Sequence, residues 1–285
     1  MTNVDQFESV FRSAAKEIYV PRPIEVRNVL CLHDLDAERY PAFERAMLRF
    51  LGVLGPGIQM TPLAAGDVTD LEALLQATLR AEPDLICTYR GLLSEGWRHP
   101  FSLGERLDVV TQATPFPVLV VPHPGNEKAW AGGPPELDRV MAITDHLATE
   151  AGMIDWAHRF TKIEGGMLLL AHVEDEYTFE RYIDAISKVP TIDTDVARET
   201  LHAQLLKEPS DYIDSCRKAL QAQGEHIDVR GVVNMGQRLG DIRGLISEHE
   251  VDLLVMNTKN EDQLAMHGLA YPLAVELREV AILML

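Results

Sequence analysis

The sequence predicts an α/β protein with parallel sheets covered by helices, organised as two copies of one unit. Two kinds of observation carry this. Short, continuous apolar runs bounded by turn residues (Leu85 to Cys87, Leu253 to Met256) are what strands buried on both faces need. The order apolar run, polar loop, glycine, amphipathic helix, apolar run also occurs twice, from Pro83 to Pro122 and from Val251 to Leu285. The distance from Gly104 to Val118 equals that from Gly268 to Ile282, and a repeat with unchanged internal spacing indicates duplication. Each copy opens on an apolar run ending in aspartate: Asn28 to Asp34, and Arg139 to Asp145.

The elements follow in chain order. Phe7, Val10, Phe11, Ala14 and Ile18 fall on one face of a helix, and Tyr19-Val-Pro-Arg-Pro23 ends it. Residues 1–25 are therefore an addition, either a cap on the same chain or a dimer-forming arm. The first domain, 26–122, continues with a helix through Phe43, Ala46, Met47 and Phe50, a strand around Ile58 to Ala64, and a helix from Thr69 to Arg80. It has room for four strands where the second copy has five. Residues 123–136, rich in proline and glycine, form the linker.

The second domain, 137–285, carries a helix face at Met153, Trp156, Ala157 and Phe160 and a strand from Met167 to Val173. Three helical stripes follow: Phe179, Tyr182, Ile183 and Ile186; Ala197, Leu201 and Leu205; Ile213, Cys216 and Leu220. Three helices exceed what one crossover requires, so an insertion is expected at about 174–222. A strand from Asp228 to Val233 and a helix from Leu239 to His249 complete the copy.

With 285 residues, 46% of them hydrophobic, the chain is long enough for about two domains with cores of their own. A formal charge of −18 repels phosphate backbones and anionic lipid, and no local basic patch offsets it, so neither nucleic acid nor membrane is an expected partner. Cys31, Cys87 and Cys216 lie at unrelated spacings, which predicts neither disulfides nor a metal site. With no apolar leader and no spanning run, the expected location is the cytoplasm.

The order strand, aspartate, helix and later strand, glycine loop, helix, strand resembles the universal stress protein family, here as a tandem. The residues that carry the resemblance are Asp34 and Asp145, Gly104 and Gly268, and the phrases Ala113 to Val121 and Glu279 to Leu285. The resemblance implies two Rossmann-like (adenine nucleotide alpha hydrolase-like) domains with strand order 3-2-1-4-5, the first a strand short. It also implies a crevice at the carboxyl ends between strands 1 and 4 of each. The last strands, Val118 to Val121 and Ile282 to Leu285, are sheet edges expected to pair within the chain, with a homodimer as a further option.

In nucleotide-binding members of that family, the aspartate after strand 1 faces the nucleotide and a Gly-x2-Gly-x9-Gly-Ser/Thr loop wraps ribose and phosphates. Both copies depart from this. The first reads Thr88-x2-Gly91-x12-Gly104-Glu105, and Glu105 puts a carboxylate where a hydroxyl would meet phosphate. The second reads Asn257-x2-Asn260-x7-Gly268-Leu269, replacing glycines by side chains that occupy ligand space. Asp34, Thr88, Gly91 and Gly104 are thus read as a non-functional site. Asp145, Asn257, Lys259, Asn260, His267 and Gly268 are the weak candidates for a retained contact, with ATP as the ligand of that alternative. His33 and His146 neighbour these aspartates, but adjacent strand residues point to opposite faces, so a structural role is preferred. His172 is read as a satisfied strand-end histidine, and the acids Glu174 to Glu176 as a helix start. No Ser, Cys or His nucleophile has a recognisable base motif. The expected role is stress-response regulation or scaffolding of an unidentified protein partner, with a non-enzyme preferred; the alternative is an ATP-binding, slowly hydrolysing protein that works through the second crevice.

Overall fold

The computed structural model describes residues 19–68, 70–94, 102–126, 130, 137–143, 151–224, 226–258 and 269–285. The first half comprises β1 (Asn28–His33), α1 (Tyr40–Phe50), β2 (Gln59–Ala64), α2 (Leu71–Ala81), β3 (Leu85–Tyr89), α3 (Glu105–Ala113) and β4 (Val118–Val121). The second comprises β5 (Arg139–Ile143), α4 (Ala151–Phe160), β6 (Glu164–Asp175), α5 (Glu176–Ser187), α6 (Thr194–Gln221), β7 (His226–Gly236), α7 (Arg238–Glu248), β8 (Leu253–Met256), α8 (Ala270–Glu276) and β9 (Ala281–Met284). The segment Phe7 to Ile18, expected as a helix, lies outside the described residues.

The described strands form one nine-stranded sheet in the order β2-β1-β3-β4-β9-β8-β5-β6-β7. Pairing is parallel within each half. The two halves join where β4 meets β9 antiparallel, with Val118 opposite Met284, Leu119 opposite Leu283 and Val120 opposite Ile282. Numbered within the second half, the order is 3-2-1-4-5, while the first half has four strands. Instead of two separate sheets there is a single one, because two short apolar edges satisfy each other's backbone groups. Every residue of β3, β4, β8 and β9 is buried, as the continuous apolar runs require.

A backbone clamp occurs in both halves. Before β3, Asp84 Oδ2 accepts from the N–H groups of Arg27 and Asn28, each at 2.8 Å. Before β8, Asp252 Oδ2 accepts from Arg139 N at 2.9 Å. In both halves the same aspartate also returns its own N–H to the first strand, to the Asn28 or Arg139 carbonyl.

Local chemistry fixes the helix boundaries. Asp70 caps α2 by accepting from Ala73 N at 2.8 Å, and Asp193 caps α6 by accepting from Asp195 N and Val196 N. Capping at Asp70 places the start of α2 at Leu71, two residues beyond the expected Thr69. The larger correction concerns the insertion: the second and third stripes belong to one 28-residue helix, α6, with Pro209 inside it. An internal proline costs about 3 kcal/mol. Burial of Tyr212, Ile213, Cys216 and Leu220 offsets this, at roughly 1.5–3 kcal/mol for each large side chain, so the helix continues where sequence alone suggests a break. Right-handed crossovers then put α1, α4 and α6 on one face of the sheet and α2, α3, α7 and α8 on the other.

Candidate functional site

At the carboxyl ends of β1 and β3 the first crevice is filled by the chain itself. Asp34 follows β1, and Tyr89 ends β3 fully buried. The Tyr89 hydroxyl donates a short hydrogen bond to Asp34 Oδ1 and accepts from Asp34 N at 2.8 Å. Asp34 Oδ2 accepts from Leu93 N at 2.7 Å. Burial, then the bond to Asp34, raises the Tyr89 phenol pKa, so it stays a neutral donor. Phe43 and His123 pack edge-on against its ring at 5.1 and 5.4 Å.

The other first-copy candidates sit around this plug. Thr88 is fully buried within β3, inside the strand rather than in the loop. Gly91 (φ 72°) and Gly104 (φ 101°) adopt left-handed backbone conformations that suit glycine. A Cβ at Gly104 would lie 3.1 Å from Ser94 Oγ and 3.8 Å from Gly91 Cα, so the two ends of the loop touch. Glu105 and Asp108 occupy the first turn of α3, where their charge opposes an incoming anion. Arg90, just after β3, is 3% exposed, with Nε and Nη2 lacking hydrogen-bond partners among the described residues. Burial and the nearby Arg278 charge lower its pKa to about 9.

In the second half, Asn257 is half-buried just after β8. Next to it, Thr258 donates from both N and Oγ1 to the Leu285 carbonyl at 2.9 Å, tying this segment to the chain end. Asp145, His146, Lys259, Asn260, His267 and Gly268 lie outside the described residues. A cavity of about 700 Å³ opens at the carboxyl ends of β6 and β7, lined among others by Glu176, Tyr177, Glu180, Gly236, Arg238 and Leu269. Its lining mixes the acids Asp175, Glu176 and Glu180 with Arg238 and Arg243. Arg198 holds Glu180 through both carboxylate oxygens and keeps its carboxyl below the usual range. A second depression, of about 570 Å³, lies at the opposite, amino ends of β5, β6 and β7, among Asp138, Lys162, Glu164 and Asp228.

Of the residues read as structural, His33, His172 and Asp175 have structural partners. His33 stacks on Tyr40 with centroids 4.0 Å apart, His172 Nε2 lies 3.2 Å from Glu174, and Asp175 caps α5 by accepting from Thr178 N at 2.6 Å. Among the described residues no His, Cys, Asp or Glu cluster could hold a metal, and no helix is long and apolar enough to cross a membrane.

Sequence reasoning missed the contacts that bind the two halves. Tyr19 Oη donates to Asp155 Oδ1 at 2.5 Å, and Arg22 N donates to the same oxygen at 3.0 Å. One turn further along α4, Arg159 donates to the carbonyls of Ile24 (3.1 Å), Val53 (2.9 Å) and Leu54. The available signal was an Asp155/Arg159 pair, four residues apart, on a helix with an otherwise apolar face. Trp130 joins the first half, donating to the Pro122 carbonyl and lying 6.1 Å from the Phe43 ring.

No protein-family model matches the sequence, and a search of curated proteins finds no match. Solved structures do match. A universal stress protein from Archaeoglobus fulgidus DSM 4304 is similar at 14% identity and a TM-score of 0.52, covering 90% of this chain and 97% of that one. A protein of Pseudomonas aeruginosa UCBPP-PA14, described as a candidate universal stress protein, is similar at 13% identity and a TM-score of 0.51, covering 91% and 93%. A functionally unknown protein from Pseudomonas aeruginosa PAO1 is similar at 13% identity and a TM-score of 0.50, covering 91% and 92%. At such identities the likeness is one of fold: the chain has the universal stress protein fold along most of its length.

Proposed function

We propose that this chain is a tandem universal stress protein, cytoplasmic and non-catalytic, that acts as a stress-response regulator or scaffold for an unidentified protein partner and whose nucleotide sites are degenerate. One observation carries the reading: the Asp34 carboxylate, which would face a nucleotide, is taken up by the Tyr89 hydroxyl and Leu93 N–H. A nucleotide would have to displace a buried phenol and break two hydrogen bonds to a carboxylate, each worth about 1.5–3 kcal/mol, which weakens binding on the order of a hundredfold or more. Glu105 and the overall charge of −18 oppose a triphosphate further.

A second reading is ATP binding and slow hydrolysis in the second crevice, at the carboxyl ends of β5 and β8; beside it, a cavity of about 700 Å³ at the carboxyl ends of β6 and β7 reaches Leu269, the residue after the candidate Gly268. Titration calorimetry with magnesium and ATP decides between them. The expected result is no binding at micromolar ATP. A micromolar or tighter constant abolished by Asp145→Ala would establish the second reading instead.

A further inference from the structure

The two edges of the sheet differ in kind. At one end β2 is six residues long and carries Pro62, which has no N–H to offer an added strand. At the other end β7 runs for 11 residues without proline or lysine, and the strand order stops on it. One face of β7 is sealed by α6: a Cβ at Gly231 would meet Ile213 Cγ2 at 2.5 Å. Asp228 and Arg230, one position off in the alternation, therefore project from the other face, where both are exposed and paired at 2.7 Å. A long ladder of this kind, with no strand beyond it among the described residues, is a template for another strand, and β7 lacks two of the usual blunting devices, proline and lysine.

Charge identifies the occupant. Copies of a chain with net charge −18 repel one another, yet β7 carries one acid and one arginine, and they are two residues apart. In an antiparallel pairing centred on Val229, Asp228 of one copy stands opposite Arg230 of the other, and Arg230 opposite Asp228. The strand is thus its own complement under two-fold rotation, which is the requirement for an isologous interface. The chain already joins two parallel halves antiparallel, edge to edge, at β4 and β9 with strands of only four residues each.

We propose that β7 is a homodimerisation edge, through which two copies pair antiparallel over His226–Val232 and make one sheet continuous across both. The mass of the full chain by sedimentation equilibrium at micromolar concentration is expected to be that of a dimer. Arg230→Asp and Asp228→Arg each place like charges opposite one another at two symmetry-related points, and each is expected to weaken the dimer by about tenfold or more. The double variant Asp228→Arg/Arg230→Asp restores the complement and is expected to restore the dimer. Both positions are exposed, so folding is retained. A monomeric parent chain, a dimer unmoved by either single substitution, or a double variant as weak as the singles would each overturn the proposal.

Discussion

The phenol of Tyr19 reaches from the segment ahead of β1 to Asp155 on α4, 136 positions away, and both groups are almost completely buried at 2% and 3% exposure. The bond fastens the lead-in of the first half onto a helix of the second. Burial, then Asp155, raises the Tyr19 pKa, so the hydroxyl remains a donor across the ordinary pH range.

Tyr19→Phe removes one of the two donors to Asp155 Oδ1 and leaves the Arg22 N–H. The expected loss is about 1.5–3 kcal/mol in urea unfolding, the value of a hydrogen bond to a charged group. A change below about 0.5 kcal/mol, the range of ordinary surface substitutions, would show that this contact does not join the halves.

Asp252 makes stability depend on pH in a defined direction. Burial lifts its carboxyl from the ordinary 3.8 to about 6; the Arg139 N–H pulls it down, and the Asp138 charge adds to the rise. Because the folded value lies above the unfolded one, the native state holds the extra proton between them. The stabilising contribution is therefore complete below about pH 4 and lost as pH rises through about 6. Asp252→Asn keeps an acceptor for Arg139 N without the titration. Melting curves of the variant and the parent are expected to diverge in favour of the variant between pH 4 and 7, and a constant difference across that range would refute the assignment.

Cys31 and Cys87 are direct neighbours on β1 and β3, and Cys216 lies on the buried side of α6. All are reduced and fully buried. Burial pushes Cys31 and Cys216 up to about 12 and Cys87 well above its usual value, which removes the thiolate that reacts. Labelling by a water-soluble thiol reagent at pH 8 is expected only as the protein unfolds. Rapid native labelling of Cys31 and Cys87 would contradict their placement in buried strands.

The sequence by itself determined the secondary-structure alternation and the four-against-five strand count. Apolar runs such as Leu253 to Met256 and spacings such as Gly104 to Val118 encode these locally, through burial and turn chemistry. The clamp of Asp84 and Asp252 on the first strand of each half was set only by the fold. Only the tertiary structure decided what Asp34 does, because its partners Tyr89 and Leu93 are 55 and 59 positions away and nothing in the local pattern sets a phenol against a carboxylate. The same holds for Pro209, whose helix-breaking tendency is outweighed by burial of the residues after it, and for Tyr19 with Asp155. Local preference is written in spacing along the chain. The pairing of buried polar groups is settled by which surfaces the closed sheet brings together, since each must find a partner once water is excluded.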